Sequence, residues 1–221
     1  IDAGRIGTPI GGAVAFASQG LESWHPNPAF FFAHGGGPMH DMGPYYLTQL
    51  VNLLGPVARV CAVASIGNPT RTVTSQPLAG QVITVTVPTT VNGVLQFASG
   101  ANVAITTSFD VWAHKRSQIE IYGTEGSLLG VNPNFFGGEP QWAGRDGQWQ
   151  ALDITAHPFH LDNHSLRSGA RVANYRIVGL VDMAMALREG RPHRASGDLA
   201  LHVLEVMHAF GRSSADGRHV D

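Results

Sequence analysis

Apolar residues recur at intervals of three and four in three segments of the chain, and this spacing predicts three α-helices. The first helix follows a glycine run, ends at Gly55-Pro56 and carries its apolar stripe on Tyr46, Leu50, Leu53 and Leu54. The second is predicted at roughly residues 169–189. The third is predicted at residues 197–213, where Ser196 is a natural N-cap.

Between the first and second helices the pattern changes to short segments rich in β-forming residues and separated by Gly, Asn or Pro. The sequence predicts one strand before the first helix, at residues 9–17, and five after it, at residues 57–65, 81–87, 93–97, 102–109 and 117–122. Asn92-Gly93 and Ser99-Gly100 are predicted hairpin turns. Residues 130–168 have no clear period and are predicted as a long loop with room for one hairpin.

Helices segregated from a run of consecutive strands predict an α+β fold, with one open, mainly antiparallel sheet and helices packed on one face. The 221 residues are enough to bury a core, so we expect one domain over residues 1–221. A bare sheet face would expose an apolar patch. We therefore expect the open face to pair with further copies of the chain in a homodimer or homotetramer.

Composition excludes several classes of function. The formal charge is −2 without a Lys- or Arg-rich run, which argues against nucleic acid or an anionic membrane as partner. No apolar stretch reaches the roughly 20 residues that cross a bilayer, and the first residues do not resemble a signal peptide. The single cysteine, Cys61, excludes an internal disulfide and suits a reducing compartment, so we expect a cytoplasmic protein.

The glycine run 35–37 and the residues after it, Pro38-Met39-His40-Asp41-Met42-Gly43-Pro44-Tyr45-Tyr46, carry the clearest chemical signal. Glycines let the backbone approach a ligand closely, and residues four apart project from one helix face. Asp41 can accept hydrogen bonds from vicinal hydroxyls, while the Tyr45 hydroxyl can contact an oxygen that interconverts between alcohol and carbonyl. We predict that Asp41 and Tyr45 are catalytic and that His40 contacts the substrate.

A structural alternative is that Asp41 is only the N-cap of the helix and Tyr45 only a core residue. Two details weigh against it. An Asp41 cap would find Pro44, which has no N–H, at the third helical position, and Tyr46 rather than Tyr45 lies on the apolar stripe.

Other candidate substrate contacts flank this segment. The aromatic and proline-rich loop before the glycine run offers a pocket wall and a hydroxyl ligand through Trp24, His25, Asn27 and Phe31. Its alternative is a loop packed on its own sheet. Arg176 suits an acidic or phosphorylated substrate, although a surface ion pair is the more frequent use of an arginine.

A second cluster lies at His157-Pro158-Phe159-His160-Leu161-Asp162-Asn163-His164. Its spacing matches no standard zinc site, so we expect no metal there and interpret the segment as a loop in which His157 or His160 contacts substrate. A metal-dependent hydrolase that uses His157, His160 and His164 is the corresponding alternative.

The stretch from Trp24-His25-Pro26-Asn27-Pro28 through the glycine run and Asp41 to Leu53-Leu54-Gly55-Pro56-Val57 resembles the C-terminal domain of the glucose-fructose oxidoreductase, inositol dehydrogenase and rhizopine-catabolism (Gfo/Idh/MocA) family. Tyr175-Arg176, Gly190-Arg191-Pro192-His193-Arg194 and His202-Val203-Leu204-Glu205-Val206 share the likeness, which covers nearly the whole chain. The family's Asp-x-x-x-His pair falls on Asp41 and Tyr45. A tyrosine at the second position of this pair resembles the glucose-fructose oxidoreductase and dihydrodiol dehydrogenase branches of the family. It departs from the inositol dehydrogenase pattern.

This resemblance implies an oxidoreductase that transfers hydride between NAD or NADP and a sugar, cyclitol, polyol or related secondary alcohol. In the family a Rossmann domain binds the cofactor and supplies a catalytic lysine in a Glu-Lys-Pro motif. The single lysine here, Lys115, does not match that motif, and no Gly-x-Gly-x-x-Gly opens a helix after a strand. We therefore expect about 120 to 150 further residues before Ile1 and an inactive chain in their absence. The alternative is a non-catalytic sugar-binding or assembly module.

Overall fold

The computed structural model describes residues 1–136, 138–166 and 169–221. The helices among them are α1 (Pro38–Leu54), α2 (Val178–Glu189) and α3 (Gly197–Asp216), with a 3-10 turn at Ala29–Phe32. The strands are β1 (Pro9–Ala17), β2 (Val57–Ser65), β3 (Thr70–Thr72), β4 (Val82–Thr84), β5 (Thr90–Phe97), β6 (Asn102–Ser108), β7 (Ile119–Gly123), β8 (Ser127–Gly130), β9 (Gln141–Ala143), β10 (Trp149–Ala151), β11 (His164–Ser165) and β12 (Arg171–Val172).

The main sheet confirms the predicted α+β fold with an open, mainly antiparallel sheet. Its strand order is β10-β9-β8-β7-β1-β6-β5-β2, and β1 runs parallel to β6 but antiparallel to β7. The expected meander is therefore interrupted, because the first strand of the chain lies between two later ones. Glycines suit β1 to this central place, since a Cβ at Gly11 would lie 2.9 Å from the Asn102 carbonyl oxygen.

One of the two predicted hairpin turns is wrong. Asn92-Gly93 lies within β5, where Gly93 pairs with Ala62 on one side and Ile105 on the other. A Cβ at Gly93 would come within 2.6 Å of the Phe210 ring, so this glycine makes room for a helix rather than for a turn. The Ser99-Gly100 turn is confirmed: Gly100 has a φ of +93° and donates its N–H to the Phe97 carbonyl at 2.9 Å.

The second predicted helix begins later than the apolar spacing indicated. Residues 171–172 form β12, which pairs with β11, and α2 begins only at Val178. Asn163 and Asn174 hold this hairpin together, because the Asn174 N–H donates to the Asn163 side chain at 2.7 Å and the Asn163 amide donates back at 3.1 Å. The strand predicted at residues 81–87 is also shorter, and β4 pairs with β3 outside the main sheet.

Helices α1 and α3 pack together on one face of the main sheet. The most buried side chains of this core are Tyr46, Leu47, Leu50, Leu95, Phe97, Val103, Ile105, Ile121 and Phe210. Ser196 caps α3 as predicted, its hydroxyl accepting the Leu199 N–H at 3.1 Å. The opposite face of the sheet leaves Val63 72% and Val94 45% exposed. The sheet therefore has apolar side chains on both faces: those that face α1 and α3 are buried, and Val63 and Val94 on the other face are exposed.

The Tyr46 hydroxyl gives a test of this packing, because it is fully buried and has no hydrogen-bond partner among the described residues. Burying an unpaired hydroxyl is costly. We expect Tyr46→Phe to raise the free energy of unfolding by up to about 1 kcal/mol in chemical denaturation. Leu50→Ala, the control at an equally buried position, should lower it by about 2–5 kcal/mol. A Tyr46→Phe variant less stable than the parent would contradict this packing.

Candidate functional site

Helix α1 places Asp41 and Tyr45 one turn apart on the same side. The helix begins at Pro38 after the N-cap Gly37, and the Asp41 N–H donates to the Gly37 carbonyl at 3.0 Å. Asp41 therefore lies inside the first turn, and the alternative in which it caps the helix is wrong. Tyr46 is fully buried, whereas the neighbouring Tyr45 is only half-buried. This arrangement leaves Tyr45 at the margin of the core, next to a cavity.

The cavity beside Asp41 and Tyr45 has a volume of about 400 Å³. It lies between α1, the end of β1 and the residues that follow β6. It brings together five residues singled out from the sequence: Trp24, Phe31, Asp41, Tyr45 and Arg176. Three structural elements thus converge on one small space of the size that takes a small-molecule ligand.

The Asp41 carboxylate forms no hydrogen bond and no ion pair with any described residue. Its partial burial raises its pKa, and the nearby His25 imidazole opposes this effect. Holding a partly buried carboxylate without partners costs stability. Because they are unpaired, the Asp41 oxygens are available to accept hydrogen bonds from a ligand.

Arg176 lines the same cavity and lies against the Tyr45 ring. The Arg176 guanidinium carbon lies 5.7 Å from the centroid of the Tyr45 ring, within the range of a cation–π contact. Arg176 also donates to the backbone carbonyl of Asn134 at 3.0 Å and to its side chain at 2.6 Å. No carboxylate of the described residues pairs with Arg176, and the Tyr45 hydroxyl has no hydrogen-bond partner among them. The surface ion pair proposed as an alternative for Arg176 is therefore not formed within the described chain.

The aromatic loop forms one wall. The His25 ring packs edge-on against Trp24, Phe30 and Phe31, with centroids 5.1–5.6 Å apart. Trp24 and Phe31 line the cavity, while Asn27 is exposed and donates its backbone N–H to His25 Nδ1 at 3.0 Å. The loop thus contributes Trp24 and Phe31 to the cavity that Asp41 lines, and Asn27 does not line it.

No pattern in the sequence indicates the buried ion cluster formed by Arg71, Glu22 and Asp110. Arg71, 8% exposed, donates to Glu22 at 2.7 Å, to the Phe109 carbonyl at 2.9 Å and to Asp110. Leu21 and Phe109, which directly precede Glu22 and Asp110 in the chain, line the cavity. Arg71 belongs to the short strand β3, so this cluster fastens the small two-stranded sheet to two segments of the cavity wall.

The remaining predicted contacts lie elsewhere. His40 faces a different cavity on the other side of α1, and His160 lines a third one beside Asp162 and Arg171. His157 is exposed and packs its ring on Phe159. In the described part of the chain, no three metal-binding side chains are grouped to hold an ion, so the zinc hydrolase alternative gains no support.

A family model described as the GFO/IDH/MocA C-terminal domain matches residues 1–129, more than half of the chain. The chain belongs to this family. The matched part includes β1, the aromatic loop, α1 and the sheet as far as β8. Asp41, Tyr45 and the aromatic wall thus lie in the matched part of the Gfo/Idh/MocA domain, while Arg176 lies beyond it.

Solved structures share the fold over the whole chain. An NAD-binding oxidoreductase from Klebsiella pneumoniae has a TM-score of 0.77 at 21% identity, covering 99% of this chain and 60% of that one. An oxidoreductase from Agrobacterium radiobacter in complex with NAD⁺, L-tartaric acid and magnesium has a TM-score of 0.72 at 21% identity, covering 100% and 58%. Levoglucosan dehydrogenase in complex with NADH and L-sorbose has a TM-score of 0.71 at 24% identity, covering 100% and 60%.

This Gfo/Idh/MocA chain thus spans about three fifths of the length of these solved oxidoreductases. A comparison with curated protein sequences finds no match. Within the described residues, no helix has both the length and the apolar character needed to span a bilayer.

The raised pKa of Asp41 predicts a gain in stability on neutralisation. Because the folded state favours the protonated form, its stabilising effect is present in acid and is lost as pH rises through the raised pKa. Asp41→Asn should therefore raise the free energy of unfolding near neutral pH, by less than about 1 kcal/mol because the carboxylate is partly solvated.

Denaturant titrations at several pH values measure this difference, which should shrink as pH falls toward about 4. Asp153→Asn is the control, because the exposed Asp153 accepts hydrogen bonds from Thr155 at 2.7 and 2.9 Å, and these lower its pKa. This variant should gain no stability at neutral pH. An Asp41→Asn variant less stable than the parent at neutral pH would contradict the assignment of an unpaired carboxylate.

Proposed function

We propose that the intact protein is an NAD(P)-dependent oxidoreductase that acts on a sugar, cyclitol, polyol or related secondary alcohol. In this proposal the present chain supplies the substrate contacts. One observation carries it: a carboxylate and a phenol hydroxyl, neither with a hydrogen-bond partner among the described residues, face one small cavity with an aromatic wall. Ligands of solved neighbours, L-sorbose and L-tartaric acid, are polyhydroxylated and agree with this class of substrate.

The residues of this chain do not fit a dinucleotide. No Gly-x-Gly-x-x-Gly follows a strand, and the cavity of about 400 Å³ is suited to a small substrate. We therefore assign the cofactor, NAD or NADP, and the catalytic lysine to a further nucleotide-binding domain of about 120–150 residues. The share of the solved oxidoreductases that this chain covers supports the assignment. The chain alone should be inactive.

Each residue of the cavity has a role in this proposal. Asp41 accepts hydrogen bonds from adjacent hydroxyls of the substrate, which fixes the orientation of the ring or chain. The Tyr45 hydroxyl contacts the reacting oxygen and assists the movement of its proton. Trp24 and Phe31 pack on the apolar face of the sugar, and Arg176 holds the Tyr45 ring from the other side. His25 supports the aromatic wall behind them.

Activity of the full-length protein tests these roles. Asp41→Asn and Tyr45→Phe should each lower kcat/KM roughly a hundredfold or more on the best substrate of a sugar and cyclitol panel, measured by NAD(P)H formation. Asp153→Asn and Tyr122→Phe are matched controls on exposed positions away from the cavity and should leave kcat/KM unchanged. Unchanged kcat/KM in both cavity variants would overturn the assignment, as would a protein that binds sugars without forming NAD(P)H.

We also propose that the open face of the main sheet joins copies of the chain into a dimer or tetramer, in the cytoplasm. Val63 and Val94 stand exposed on neighbouring strands of that face. Val63→Asp should reduce the mass measured by sedimentation, because a charge on the buried face of an interface has no partner. Leu187→Asp, on the exposed side of α2, is the control and should leave the mass unchanged. A monomeric parent protein would refute the interface.

A further inference from the structure

A second cavity lies on the other side of α1. It has a volume of about 330 Å³ and is enclosed by the glycine run, the first turn of α1, α3 and the segment 87–91. Met39 and His40 face it, whereas Asp41, Met42 and Tyr45 face the first cavity. The helix therefore separates two spaces, and the second one has no role in the function proposed above.

The floor of the second cavity is apolar. Met39, Val91, Met207 and Phe210 line it, and each of these side chains is at most 6% exposed. Its volume is at the lower end of the range for ligand pockets, roughly 300–1,000 Å³. A compact apolar group can fill such a floor, and a strongly hydrated ion cannot.

The rim of the same cavity is formed by three imidazoles, those of His34, His40 and His208. The His40 and His208 rings lie 5.3 Å apart. None of the three forms a hydrogen bond with a described residue. Burial lowers the pKa of His40, and His208 and His34 lower it further. The ring nitrogens therefore remain open to a ligand that accepts hydrogen bonds.

The groups that line this cavity favour an anion over a cation, because imidazoles can donate hydrogen bonds and no described carboxylate lines it. On α3, Glu205 and Arg212 lie about one turn on either side of His208. All three line a neighbouring groove, so His208 borders both spaces, whereas Glu205 and Arg212 do not line this cavity. On α1, Asp41 follows His40 but faces the first cavity, and the segment 87–91 carries no ionisable group. Among the described residues, three imidazoles and no carboxylate thus line this cavity.

We propose that this second cavity binds a small organic acid, with its apolar body against Met39, Met207 and Phe210 and its carboxylate held by the imidazoles of His34, His40 and His208. The alternative is that the three histidines bind no ligand and are in contact with solvent. The convergence of His34, His40 and His208 above an apolar floor favours the proposal over this alternative.

Binding of such an acid must be linked to proton uptake. The lowered pKa of His40 favours the neutral imidazole in the free protein, whereas an adjacent carboxylate favours the protonated imidazolium. Affinity should therefore rise as pH falls toward about 6, and it should fall again once the acid itself is protonated, below about pH 4–5. The affinity of a neutral ligand would show no such pH dependence from the protonation of His40.

Phenylacetate is the probe and the neutral phenylacetamide is its matched analogue. Calorimetric titration of the 221-residue chain should show phenylacetate binding roughly tenfold more tightly at about pH 6 than at about pH 8. Titrations in buffers of different ionisation enthalpy should show uptake of up to about one proton. His40→Gln and His208→Gln should each weaken binding roughly tenfold, and His40→Gln should also reduce the uptake. His114→Gln, at an exposed position, is the control and should do neither.

Several outcomes would overturn the proposal. Phenylacetamide that bound as tightly as phenylacetate would show that the cavity does not recognise the carboxylate. Inorganic phosphate that bound as tightly would show that the apolar floor does not contribute to binding. If Arg176→Gln abolished phenylacetate binding and His40→Gln left it unchanged, the acid would be bound in the first cavity. Binding of Zn²⁺ by the histidines without binding of phenylacetate would identify a metal site instead. The measurement does not depend on turnover, so its failure would leave the proposed oxidoreductase function untouched.

Discussion

The structure depends on the burial of one side of α1 between the main sheet and α3. Tyr46, Leu47 and Leu50 are fully buried there, which fixes the rotation of the helix about its axis. Once that rotation is fixed, Asp41 and Tyr45 must project toward the end of β1, and His40 must project to the other side. The positions of both cavities therefore follow from a packing constraint, and any shift in the core would move the candidate catalytic groups.

Part of this arrangement could be predicted from the sequence, because local patterns determine it. The apolar spacing located α1 to within a residue of its ends, and the four-residue interval placed Asp41 and Tyr45 on one side. The β1 and β2 boundaries were also readable from composition and turn residues. The insertion of β1 between β6 and β7 was not readable, because pairing between strands distant in sequence leaves no local pattern.

The errors have the same origin. Asn92-Gly93 has the composition of a turn, but the ring of Phe210 required a glycine at that point of a strand. The apolar residues of α2 have helical spacing, while hydrogen bonds between Asn163 and Asn174 hold the residues before it in a hairpin. Likewise, the approach of His208 to His40 and the contact of Arg176 with Tyr45 join residues far apart in the chain. Such contacts depend on tertiary packing, which a single sequence does not encode in any short motif.

The buried cluster of Arg71 with Glu22 and Asp110 has a consequence for the redesign of this protein. Removing one member of a buried ion pair leaves an uncompensated charge, at a cost of about 3–5 kcal/mol. Arg71 comes from β3, Glu22 from the segment after β1, and Asp110 from the segment after β6. A loop grafted from a relative to alter substrate preference would therefore import a foreign charge pattern into this cluster. In such a redesign Arg71, Glu22 and Asp110 have to be replaced together, although none of them lines the cavity.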